Sequence, residues 1–148
     1  MRPSWDEYFM KIAHAVKERS TCLRRQVGSI LVKDKQIIST GYNDTPRGVK
    51  NCGEGGCERC SSSEETNPRG TNLDKCACSH SEENVIVQAA LHGISSEGAI
   101  LYTTNSPCTL CAKMLINAGI KKIILGGEYP DELGLKLLKE ANVELQKF

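Results

Sequence analysis

The sequence predicts an α/β fold, a sandwich of helices on a mixed sheet, formed by a single domain over residues 1–148. Three observations carry this. Two β-rich runs near the start are separated by three residues that suit a hairpin turn, so they should pair antiparallel. Beyond residue 80, helical and β-rich segments alternate, the order that generates parallel strands. The length of 148 residues, 39% of them apolar, suffices for one buried core and leaves little room for a second.

The elements follow in order. Residues 5–19 predict a helix: Ser4 can cap it, Asp6 and Glu7 stand in its first turn, and Phe9, Ile12, Ala13 and Val16 recur at helical spacing. Residues 27–32 and 36–40 are the β-rich runs, with Lys33, Asp34 and Lys35 between them. Residues 41–79 are irregular, and their cysteine-rich part spans 44–79. A stretch of this length without regular structure is normally functional or tied by metal. A second helix over 81–91 presents Val85, Ile86, Ala89 and Ala90. A strand over 99–104 follows. Ser106 as cap and Pro107 at the first helical position open a third helix that runs to residue 118. A strand over 122–126, a helix over 131–141 and a short strand over 143–145 complete the chain.

The 19 basic and 18 acidic side chains leave a net charge of +1, and aromatic residues make up 5%. A polynucleotide substrate calls for a basic groove with stacking aromatics, so no nucleic-acid partner is expected. No apolar run approaches the roughly eighteen residues that span a bilayer, so no membrane partner is expected. Residues 1–7 lack the apolar stretch of a secretory signal. The expectation is a cytoplasmic protein with reduced thiols.

That expectation bears on the eight cysteines, which stand beside three histidines. Five of the eight, Cys52, Cys57, Cys60, Cys76 and Cys78, fall in a polar segment with few aliphatic residues. They are poor core filler, and clustered reduced thiols in such a segment favour a structural metal over packing or a disulfide framework.

Two pieces carry chemistry. His80-Ser81-Glu82 opens the second helix, and Pro107-Cys108-Thr109-Leu110-Cys111 opens the third. Residues three apart on a helix share a face, so Cys108 and Cys111 can bind one ion, with His80 as third ligand. Three protein ligands leave the fourth tetrahedral position to water, as a catalytic zinc requires. Both helix N-termini point toward the ion and favour ionised thiolates. Glu82, two residues beyond a ligand, stands where a general acid/base belongs. The pattern H-x-E followed by P-C-x-x-C is the signature of zinc deaminases. Two plainer readings stand beside this one. Ser79 and Glu82 also have capping-box spacing, and a fourth cysteine would close the trio into a structural site in a non-catalytic binding module.

At these residues the chain resembles the cytidine and deoxycytidylate deaminase superfamily, and its deoxycytidylate branch in particular. The resemblance covers nearly the whole chain. It includes residues 20–28 (with Cys22, Arg24 and Arg25), Gly41-Tyr42-Asn43-Asp44-Thr45-Pro46-Arg47-Gly48, Asn51-Cys52, His80 to Ile86, Leu101-Tyr102-Thr103, Pro107-Cys108 and residues 111–122. It implies a three-layer α-β-α sandwich with a mixed five-stranded sheet, a homohexamer, and zinc-dependent hydrolysis of dCMP to dUMP and ammonia, which supplies thymidylate synthesis. Related members act on dCTP or another free cytosine nucleotide or nucleoside. By position, Asn43 should meet the sugar hydroxyl, Arg24 the phosphate, Tyr129 the pocket, and Ser106 the substrate beside the cysteine motif. The alternatives are a turn residue at Asn43, a solvated charge at Arg24 and a half-buried aromatic at Tyr129.

The resemblance also implies a second, structural zinc on Cys22, Cys52, Cys57 and Cys76, with Cys60 and Cys78 as rivals. Three departures stand out. Ser81 replaces the usual alanine of the His-Ala-Glu motif. Asp44 occupies a position commonly glycine, in a region where regulated members bind dCTP or dTTP. A carboxylate there repels a triphosphate unless a magnesium ion intervenes. Pro130 follows Tyr129 where some members carry a basic residue.

Overall fold

The computed structural model describes residues 1–148. Helix α1 (Trp5–Lys17) starts with a reciprocal cap: the Glu7 amide donates to Ser4 Oγ at 3.2 Å, and the Ser4 amide donates to Glu7 Oε2 at 2.7 Å. It ends two residues before the expected limit. Strands β1 (Gly28–Lys33) and β2 (Gln36–Tyr42) form the hairpin. Asp34 and Lys35 both take positive φ, 51° and 62°, as a tight two-residue turn between twisted strands demands.

The long segment after β2 contains only two short 3₁₀ turns, Cys52–Glu54 and Leu73–Lys75, and the four-residue α2 (Glu58–Ser61). Then α3 (Ser81–Leu91), β3 (Ile100–Thr103), α4 (Thr109–Asn117), β4 (Lys122–Leu125), α5 (Glu132–Glu140) and β5 (Glu144–Lys147) alternate. The sheet order is β2-β1-β3-β4-β5. β1 is antiparallel to β2 and β3, while β3, β4 and β5 run parallel. The sheet is therefore mixed and five-stranded.

Alternation along the strands makes the layers. Ile30, Val32, Tyr102 and Ile124 face Phe9, Met10 and Ala13 of α1. Leu31, Leu101, Ile123 and Leu125 face the other way, onto Val85 and Ala89 of α3, Ala112 and Leu115 of α4, and Leu138 of α5. No helix is long and apolar enough to cross a membrane.

The expected cap of the third helix is displaced. Cys108 is the N-cap of α4, and its Sγ accepts the Cys111 amide at 3.5 Å. Ser106 and Pro107 lie in the turn before it. α3 approaches the hairpin closely because Gly41 has no side chain: a Cβ there would stand 2.5 Å from the Val85 nitrogen and 2.7 Å from the Ser81 oxygen.

Candidate active site

α3 and α4 bring their first residues together above the sheet. His80 is the N-cap of α3, as Cys108 is of α4. His80 Nδ1 lies 3.4 Å from Cys111 Sγ and 3.5 Å from Cys108 Sγ. The three donor atoms lie within 4.8 Å of one another, so the trio has the spacing and the chemistry of a three-ligand zinc site. Hydrogen bonding with Cys111, then His80, pushes the Cys108 thiol down to about 4 despite burial, and Cys108 in turn pushes Cys111 up. A cation bound between the two sulfurs would let both ionise.

The helix start separates two adjacent glutamates. The His80 amide donates to Glu83 Oε1 at 2.9 Å, so Glu83, not Glu82, closes the N-terminus of α3. The Ser79–Glu82 capping box does not form, because the cap falls one residue later. Glu82 is left free for other work. It is 4% exposed and accepts from Thr103 Oγ1 at 2.9 Å. Burial pushes its carboxyl up, against hydrogen bonds from its own amide and from Thr103.

The trio and Glu82 open on a cleft of about 340 Å³ lined by Asn43, Ser106, Cys108 and four arginines: Arg24, Arg25, Arg59 and Arg69. Asn43 is braced at its rim: Oδ1 accepts the Val27 amide at 2.7 Å and Nδ2 donates to Arg25 O at 2.8 Å. One further donor and one acceptor site of the amide remain. Ser106 Oγ is buried without a hydrogen-bond partner.

Arg24 differs from the expectation. Its guanidinium donates to the carbonyls of Cys60 (3.3 Å), Asn67 (3.1 Å), Arg59 (3.3 Å) and Ser62 (3.0 Å), which pins the loop rather than leaving a fork free for phosphate. Arg59, which the sequence reading passed over, is 7% exposed and has no carboxylate partner. Its Nε donates to Thr71 O at 2.8 Å. Tyr129 is half exposed, with Lys147 Nζ 5.7 Å from its ring centroid, and is not among the residues that line the cleft.

The loop thiols form a second centre beside the cleft. The expected quartet of Cys22, Cys52, Cys57 and Cys76 does not assemble as one group. Two other quartets do: Cys22, Cys52, Cys60 and Cys78, and Cys57, Cys60, Cys76 and Cys78. The rivals Cys60 and Cys78 belong to both. Cys57 is the N-cap of α2 and Cys60 lies within it, while Cys76 leaves the second 3₁₀ turn on extended backbone. Hydrogen bonding with Cys78 pushes Cys22 down to about 5, while the amides of Cys60 and Ala77 outweigh burial and bring Cys57 to about 7.

Asp44 joins these segments. It is 6% exposed. Its carboxylate accepts from the amides of Thr21 (2.6 Å), Thr45 (2.8 Å) and Cys52 (3.1 Å) and from Thr21 Oγ1 (2.8 Å).

A histidine and two cysteines at two helix starts, with a buried glutamate alongside, match the residue pattern of the zinc deaminases. Residues 3–127 match the family described as the cytidine and deoxycytidylate deaminase zinc-binding region, and the chain belongs to that family. Within it, the chain is 42% identical to a deoxycytidylate deaminase of Schizosaccharomyces pombe, over 99% of this chain and 45% of the relative. It is 39% identical to that of Saccharomyces cerevisiae, over 100% of this chain and 46% of the relative. The chain thus spans about half the length of these two curated relatives. The fold matches a crystal structure of the dCMP deaminase of cyanophage S-TIM5 in complex with dCMP and dUMP, with a TM-score of 0.77, 33% identity, and coverage of 100% of this chain and 99% of the other.

Proposed function

We propose that the chain hydrolyses dCMP to dUMP and ammonia at the centre formed by His80, Cys108, Cys111 and Glu82. The observation that carries this is Glu82: a buried carboxylate, held by Thr103 and not used as a cap, beside three metal donors. His80, Cys108 and Cys111 would hold a zinc ion, which would supply a polarised water of lowered pKa. Glu82 would accept a proton from the attacking water as its oxygen adds to C4 of the cytosine ring, pass that proton to N3, then take the remaining proton from the new C4 hydroxyl and deliver it to the departing amine. The C4–N bond breaks, ammonia leaves and a carbonyl remains. The S-TIM5 complex with dCMP and dUMP supports this substrate and product pair.

Asn43 offers its remaining amide valences to the sugar hydroxyl, and Ser106 its unpartnered hydroxyl to the substrate. Arg59, with Arg25 and Arg69, takes the phosphate role in place of Arg24, because a guanidinium with no carboxylate partner suits a phosphate. Tyr129 has no contact to offer inside the cleft of its own chain. We further infer a structural metal in the loop, and a homohexamer supported by the exposed apolar side chains of Val87, Leu91 and Leu110. A dCTP or dTTP effector has a second cleft available, lined by Arg19, Asp44, Arg47 and Asn84. The Asp44 carboxylate is largely satisfied there, and a magnesium ion on the nucleotide would offset its remaining charge.

Turnover of dCMP, deoxycytidine and dCTP side by side tests the reading. Preference for dCMP is expected. Equal turnover of deoxycytidine and dCMP removes the phosphate requirement. No deamination by folded, zinc-loaded protein would leave only a binding module.

A further inference from the structure

We propose that the loop cysteines hold a binuclear cluster, two zinc ions on six thiolates, with Cys60 and Cys78 bridging the ions. The inference rests on the reading that these thiols bind metal, and goes on to say how many ions and which sulfurs are shared. Cys22 and Cys52 complete one tetrahedron, and Cys57 and Cys76 the other. Within each quartet the ligand atoms all lie within 4.8 Å of one another. At a zinc–sulfur bond of about 2.3 Å, the edge of a tetrahedral site is about 3.8 Å. The Cys57–Cys76 and Cys60–Cys76 sulfur separations are 3.9 Å and 3.8 Å.

Simpler contents fit less well. One ion satisfies one quartet and strands two thiols of the other, Cys57 with Cys76 or Cys22 with Cys52. Cys52 and Cys57 are both 0% exposed, so either choice leaves a buried thiol against a metal-thiolate centre without a metal of its own. Two separate sites would need eight sulfurs, and sharing Cys60 and Cys78 closes the count with six. The sulfurs are nearly twice a disulfide bond apart, and all the cysteines are free. An iron–sulfur cluster uses four protein thiolates with inorganic sulfide, not six converging side chains.

Donors of the chain lie around the cluster. The Ala77 amide donates to Cys57 Sγ at 3.3 Å. Arg24 places its guanidinium on the Cys60 carbonyl, close to the excess negative charge that six thiolates leave on two divalent ions. Asp44 aligns the two chain segments that supply the first tetrahedron, by binding the Thr21 amide next to Cys22 and the Cys52 amide itself.

Metal analysis with native mass spectrometry of the purified zinc-replete protein tests this. Three zinc ions per chain are expected, and two in Cys108→Ser, which lacks only the ion of the trio. Replacement by the spin-active cadmium isotope should give two loop resonances with mutual coupling through the bridging sulfurs, a readout that needs no variant to fold. Two zinc ions per chain would overturn the bridged pair and keep a single loop metal. One zinc per chain would overturn both. Copper in the loop, or iron with acid-labile sulfide, would overturn the assignment as zinc.

Discussion

Thr103, at the end of β3, donates its hydroxyl to Glu82 Oε1 at 2.9 Å, and both residues are buried. This contact fixes one carboxylate oxygen. A hydrogen bond to a charged group is worth about 1.5–3 kcal/mol. Thr103→Val should therefore lower kcat about ten- to a hundredfold with KM little changed, and Thr103→Ser should restore most of it. Steady-state kinetics on both variants decides; a Val variant with wild-type kcat would remove the positioning role.

Glu82 and Glu83 should separate activity from stability. Glu82→Gln should retain zinc and fold and lose about 10²–10⁴-fold in kcat, the usual contribution of a general acid/base. Glu83→Ala loses the side-chain cap on the His80 amide and should cost about 1 kcal/mol of stability, with kcat within a few fold. Zinc content, thermal melting and turnover of each variant measure the split. A Glu82→Gln enzyme within tenfold of wild type is incompatible with its role.

The two arginines near Cys60 should also diverge. Arg59→Lys keeps the charge but not the planar fork, so KM for dCMP should rise about tenfold while turnover of deoxycytidine stays level. Arg24→Ala removes four short links to loop carbonyls and should expose residues 59–67 to proteolysis. If the Arg59 variant lost activity equally on both substrates, phosphate binding would belong elsewhere.

Asp44 holds three backbone amides and one hydroxyl. Asp44→Asn turns an NH₂ group toward at least one of these donors and should destabilise the chain by about 1–3 kcal/mol. Chemical denaturation would show this as a lower midpoint. An unchanged midpoint would mean that the four bonds are replaced by solvent.

Much of this architecture is local and therefore legible. α3 runs from Ser81 to Leu91 as its spacing predicts, and the odd–even alternation of Ile30, Leu31 and Val32 divides the core between two faces. The zinc trio is legible because each part is a short motif at a helix start. What escapes the sequence depends on contacts between distant positions. Arg24 meets Cys60 across 36 residues and Thr103 meets Glu82 across 21, and no periodicity announces either. The shift of the cap from Ser79 to His80 had no local signal either, since Glu82 and Glu83 both satisfy the spacing rule. The quartets of the loop depend on how α2 turns, so six candidate sulfurs could not be sorted by spacing.

The interior of the loop is Cys52, Cys57 and Cys60, with Cys22, Cys76, Ala77 and Cys78 packed on them. It holds one methyl side chain and otherwise sulfur, too little apolar matter to fold by itself. Yet this loop carries Arg59, set between two of those cysteines, on the wall of the catalytic cleft. The proposed centres would give the protein two metal requirements of different kinds. On the proposed function, the ion of the trio would enable chemistry on any cytosine that arrives. Under the proposed function and the proposed loop cluster, loop metals would shape the wall that tells a nucleotide from a nucleoside, so zinc starvation of the loop alone would blunt selectivity before it stopped catalysis.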